Sequence, residues 1–158
     1  MALAAAVGHC HADLCARIGF DRPVCEENVL LAGWRDLDPP EVTRLQTSRI
    51  MSRSARQLDD VPALAAALRK RVDAVYLHID IDFLDAAESP GVNFRGSGGV
   101  PLQTAERLVA AIARELPLAA IALTNHNPDH DQQGLTAAAG VRLLRAIAAA
   151  YPSLSRVG

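Results

Sequence analysis

The chain has 158 residues, 50% of them hydrophobic, and a formal net charge of −2. That length buries roughly 70% of its unfolded surface, enough for a single domain, residues 1–158, with its own core. The near-neutral balance speaks against nucleic acid or an anionic membrane as a partner.

Cys10, Cys15 and Cys25 are odd in number and irregularly spaced, so they make no disulfide framework. A reducing cytoplasm is the expected compartment. Met1 to Gly8 is apolar but too short for a signal core or a membrane span. Ala2 to Val7 reads as an alanine-rich helix that Gly8 ends. His9-Cys10-His11-Ala12-Asp13 has the look of a metal string, but it runs into a short amphipathic helix, Asp13 to Ile18, and reads better as a polar helix start.

Val29 to Trp34 is a short buried strand by composition. After Arg35-Asp36-Leu37-Asp38, Pro39-Pro40-Glu41 opens a helix to about Thr47, with proline in the first turn and an acid beside it. Arg35 is expected to pair with Asp36 or Asp38. Arg49 to Ser52 is a weak strand candidate. Leu58 to Arg71 reads as a helix capped by Asp59 or Asp60, with Val61, Leu64, Ala65 and Leu68 as its apolar stripe. Asp85 to Gly99 is a long loop marked by Pro90-Gly91, Gly96 and Gly98-Gly99, and long loops in compact domains usually carry function. Helices over Pro101 to Leu116 and Leu135 to Ala149 flank a strand over Leu118 to Leu123. The last helix carries Val141, Leu143, Leu144 and Ile147.

The most informative stretch is Val75 to Asp85, Val-Tyr-Leu-His-Ile-Asp-Ile-Asp-Phe-Leu-Asp. An apolar run gives way to alternation, with His78, Asp80 and Asp82 on one side of a strand and Ile79 and Ile81 on the other. Two carboxylates aimed at one spot repel, and a divalent cation with a taste for hard oxygen relieves the repulsion. A solvated acidic strand end is the plainer alternative. The alternating order of helices and strands argues for an α/β fold: a three-layer, open, mostly parallel sheet with helices on both faces. Val29–Trp34, Ala74–Asp80 and Leu118–Leu123 are expected as neighbours in it. In such sheets ligands bind beyond the carboxyl ends of the strands. Asp38, Asp80, Asp82 and Asn125 all fall there.

Three segments in order resemble the C-terminal part of the ureohydrolase family, the arginases and agmatinases. They are Gly33-Trp34-Arg35-Asp36-Leu37-Asp38-Pro39-Pro40-Glu41, then His78 to Asp85 with Pro90-Gly91 and Gly98-Gly99, then Asn127-Pro128 with Leu135-Thr136-Ala137. The resemblance implies an arginase-like fold truncated at its N-terminus. It also implies a binuclear Mn²⁺ site hydrolysing a guanidino or amidine C–N bond, typically with release of urea. By match, Asp80 and Asp82 are metal ligands, Asp38 binds the far end of the substrate, and Asn125 stands where many members carry a substrate-binding glutamate.

The departures from the family pattern are equally specific. The family's Gly-Gly-Asp-His and Asp-x-His-x-Asp ligand stretches, and its proton-transfer histidine, match nothing in this chain, so no catalytic residue is assigned. Asn125 lacks the glutamate's charge. His78 replaces a serine, Ala86 replaces a proline, and Val92, Asn93 and Phe94 differ from the arginase substrate loop. The implied partners are a small guanidino or amidine substrate and either a second copy of the chain or a missing N-terminal half. The alternatives are a non-catalytic ureohydrolase-like remnant serving as an assembly partner, and a small metal site built from His9, His11, Asp13, Asp80 and Asp82.

Overall fold

A computed structural model gives the fold of residues 2–151; Met1, at the head of the apolar start, lies outside it. The order is α1 (Ala2–Ala6), α2 (Ala12–Arg17), β1 (Leu30–Trp34), α3 (Pro39–Thr47), β2 (Met51–Ser54), α4 (Val61–Arg69), β3 (Val75–Asp80), α5 (Leu102–Glu115), β4 (Leu118–Thr124) and α6 (Leu135–Ala150). Among the described residues no helix is long and apolar enough to cross a membrane.

The expected α/β alternation and parallel pairing are present. The expected neighbours are only partly so. β3 pairs with β4 in parallel, Tyr76 opposite Ala120 and Asp80 opposite Thr124. β1 instead pairs in parallel with β2, Leu30 opposite Met51, in a separate two-stranded ladder. The weak strand near Arg49 is therefore a real ladder partner. Alternation fixes the strand direction of a crossover unit, but the edge on which each strand adds depends on contacts distant in sequence.

Helices α4, α5 and α6 supply most of the core. Val61, Ala65 and Leu68 of α4 pack with Leu102, Ala105, Leu108, Val109, Ile112 and Ala113 of α5. Ile79, Ile81 and Leu84 join them from β3 and the segment after it. In α4 the buried stripe is as expected except for Leu64, which is only part-buried. In α6 the inward face is Thr136, Ala139, Gly140, Leu143 and Ile147. Val141 and Leu144 point outward, 47% and 41% exposed. Gly140 explains this orientation: a β-carbon there would lie 2.8 Å from Leu123 and 3.3 Å from Ile81, so α6 approaches β4 along its smallest residues. Arg142 adds a two-pronged ion pair across to Glu106 of α5, both contacts 2.7 Å.

Candidate active site

β3 delivers Asp80 at its carboxyl end, and then the backbone changes character. Ile81–Phe83 is a 3-10 turn, so Asp82 does not continue the strand face as alternation implies. The turn folds Asp82 back, and its N–H donates to Asp80 Oδ1 at 3.2 Å. The two carboxylates still converge, by a tight turn rather than by strand periodicity, and both line a cleft of about 680 Å³. Asp82 is raised from an ordinary 3.8 to about 6. Burial is the main cause, followed by the charge of Asp80 and its hydrogen bond, with Arg35 opposing. On the other side of the pair, Asn125 Nδ2 donates to Asp80 Oδ2. Asn125 sits directly after β4 in the left-handed region, φ 67°, which asparagine tolerates better than most residues.

The end of β1 closes against this turn. The β1–β2 register slips at Gly33, where φ is +85°, and a β-carbon there would meet the Phe83 ring at 3.0 Å. Just beyond, Arg35 forgoes the carboxylates beside it in sequence. It donates instead to the carbonyl of Asp82 at 2.5 Å and to that of Gly96 at 2.9 Å. One guanidinium thus ties the carboxyl end of β1 to the carboxylate turn and to the long loop. Sequence reading missed this role, because the two acceptors lie 47 and 61 residues away.

The long loop is pinned elsewhere too. Gly91 N–H donates to Thr136 Oγ1 at 2.7 Å and its carbonyl accepts from Asn127 N–H at 2.8 Å. Asn127 Nδ2 donates to Asn93 Oδ1 at 2.6 Å, and His130 Nδ1 lies 3.1 Å from the carbonyl of Val92. Asp131 anchors these residues. Its buried carboxylate accepts from the N–H groups of Thr136 and Ala137 at the start of α6 and lies 3.0 Å from His126 Nε2. Burial would raise its pKa, but those donors outweigh it and hold the group below the usual carboxylate range. The loop's return is equally tight: a β-carbon on Gly99 would lie 2.3 Å from the carbonyl oxygen of Leu84.

The other sequence candidates are placed as follows. Asp38 is exposed at the N-cap of α3, where Glu41 reaches back to its N–H at 3.0 Å, and it does not line the cleft. His78 stays on the ladder, 3.2 Å from Tyr76 Oη and 3.3 Å from Thr124 Oγ1. The His9–Asp13 string does not assemble with Asp80. His9 instead meets Glu26 at 2.6 Å, and among the described residues no group of three or more His, Cys, Asp or Glu gathers to hold a metal ion.

The model of one protein family, the arginase family, matches residues 4–150. The chain belongs to the arginase family. It is 40% identical over 87 residues to a formimidoylglutamase of Chromobacterium violaceum, covering 55% of this chain and 28% of that protein. The arginase structure from Bacillus caldovelox superposes with a TM-score of 0.84 at 28% identity, covering 92% of this chain and 50% of that one. The fold is also that of formimidoylglutamase from Bacillus subtilis, TM-score 0.73 at 17% identity over 80% of this chain and 43% of that one. The chain therefore spans half or less of the length of these relatives, and its fold is an arginase fold in the portion it covers.

Proposed function

We propose that this arginase-family chain is the C-terminal part of a hydrolase that cleaves a C–N bond of a small amidine or guanidino compound. We also propose that Asp80 and Asp82 are ligands of its manganese centre. The observation that carries this is the convergence of the two carboxylates in a cleft at the carboxyl end of β3. Two hard oxygens side by side suit a divalent cation such as manganese, but a single such ion takes about six ligands. The pair thus fits as one part of a ligand set, with the rest supplied by a segment outside the described residues. Asp80 and Asp82 would hold part of such a centre, and the chemistry it would supply there is a water made acidic enough to act near neutral pH.

The chain's own residues prepare that chemistry. Asn125 donates to Asp80 Oδ2 and the Asp82 N–H to Oδ1, so the carboxylate is oriented from both sides. Arg35 holds the backbone of Asp82 and so its side chain's direction. At the substrate, Asn125 offers an amide dipole instead of a charge. The remaining segment has a surface to cover as well. Parallel ladders are normally buried on both faces, yet Tyr76 is 61% exposed and Ile121 40%.

The test is a hydrolysis assay of the chain alone and of the chain joined to an N-terminal arginase-family half carrying the histidine and aspartate ligands. Urea or ammonia release from guanidino or formimidoyl compounds is expected only from the joined form, and Asp82→Ala should abolish it. A joined form that binds manganese fully and hydrolyses none of these compounds would leave the chain a non-catalytic relative.

A further inference from the structure

The turn that follows β4 is held by side chains. Among the described residues neither Asn125 nor His126 takes part in a backbone–backbone hydrogen bond; the next is from Asn127 N–H to the carbonyl of Gly91. Yet Asn125 sits at φ 67°, one of two non-glycine residues with positive φ among those described, the other being His11. A left-handed residue other than glycine persists where its surroundings fix it, and such residues cluster at functional sites. Two side-chain bonds are left to fix this one. Asn125 Nδ2 donates to Asp80 Oδ2, and His126 Nε2 lies 3.0 Å from Asp131 Oδ2.

The second bond has no other task. The Asp131 side chain is 2% exposed, and the N–H groups of Thr136 and Ala137 already satisfy both of its oxygens. Its carboxyl is held below the usual carboxylate range, so near neutral pH it is ionised and can only accept. The proton of the His126–Asp131 bond therefore sits on His126 Nε2. The start of α6 keeps its two bonds to Asp131 without the histidine. What the third bond constrains is the ring itself, 34% exposed and one residue from Asn125.

We propose that His126 is a positioning residue: by tying the turn to Asp131 it keeps Asn125 in the left-handed conformation that brings its amide to Asp80, and so orients one carboxylate of the pair. Its consequence for the reaction rests on the reading of Asp80 and Asp82 as manganese ligands. The role needs a donor at the reach of Nε2 and no charge on the ring. Glutamine carries an amide N–H at similar reach, whereas leucine has comparable bulk and no donor.

The test compares the purified chain with His126→Leu and His126→Gln by NMR, first without metal and then with added Mn²⁺. In His126→Leu the side-chain amide of Asn125 is expected to shift toward that of a free asparagine, and its H–N–Hα coupling to leave the left-handed value. The amides of Thr136 and Ala137 should keep their positions, because Asp131 still accepts from them. His126→Gln should restore the parent signals at Asn125. Mn²⁺ should broaden residues 80–83 of the parent, and His126→Leu should need about threefold more Mn²⁺ for the same broadening. Asn125 signals that stay put in His126→Leu, or that His126→Gln fails to restore, overturn the inference. Thr136 and Ala137 moving together with Asn125 also overturns it, since His126 would then act on the start of α6. An unchanged Mn²⁺ requirement with Asn125 displaced overturns the role in orienting Asp80. Asn125 responding as expected while Mn²⁺ broadens nothing near residues 80–83 keeps the hold of His126 on the turn and overturns the manganese reading.

Discussion

Asp82→Asn tests the carboxylate pair without any ligand. In the metal-free protein Asp82 titrates near 6 instead of 3.8, held up by burial and then by Asp80. Between those values the folded chain keeps a proton that the unfolded chain has lost. Stability therefore falls as pH rises from about 4 to about 6 and stays lower above that. The difference of about two units sets a ceiling of ~3 kcal/mol on the cost at neutral pH. Asp82 is part-exposed, and solvent screening reduces the expected cost to ~1 kcal/mol. The substituted amide carries no charge at any pH, so the variant should be more stable than the parent by about that amount at pH 7.5, and the difference should vanish near pH 4. Urea denaturation of both proteins at pH 4, 5, 6 and 7.5 measures it. A variant that is less stable at pH 7.5, or a difference that does not change with pH, would refute the convergence of the two charges. Asp80→Asn removes the second and third causes but not burial. It should lower the Asp82 titration without returning it to 3.8, as carboxyl NMR would show.

Other consequences follow from the packing. Asp131→Ala strands two N–H groups at the start of α6 and should cost ~2–4 kcal/mol in urea unfolding; because the folded pKa is depressed, that contribution of the parent is lost as pH falls through it. Arg35→Ala frees the Asp82 and Gly96 carbonyls and should speed limited proteolysis within residues 90–99, with the cleavage sites read by mass spectrometry. Leu143→Ala empties a fully buried position and should cost ~2–5 kcal/mol; a loss under 1 kcal/mol would mean that α6 is loosely seated.

The helices and strands were legible because their apolar periods are strong, and α3 runs from Pro39 to Thr47 as its proline start predicts. Strand order was not legible, since nothing local says that β1 takes β2 as its partner. The inward face of α6 is not legible from hydrophobicity, which would pick out Val141 and Leu144, because close approach to β4 selects Gly140 and Ala139. Alternation along the strand singles out Asp80 and Asp82, but a 3-10 turn, not a strand face, brings them together. Arg35 and the loop anchors Asn127, His130 and Thr136 act over long sequence separations, so no local signal marked them.

The most direct test of the account is a calorimetric titration of Mn²⁺ into the 158-residue chain, repeated with Asp80→Ala and Asp82→Ala. Two carboxylates without further ligands hold a hard cation weakly, so the parent should bind with a Kd no tighter than ~0.1–1 mM, the range of sparse carboxylate sites. Either substitution should remove that binding. Tight two-site binding by the chain alone would show that it completes its own centre, and binding untouched by Asp82→Ala would show that the carboxylate pair is not where the metal goes.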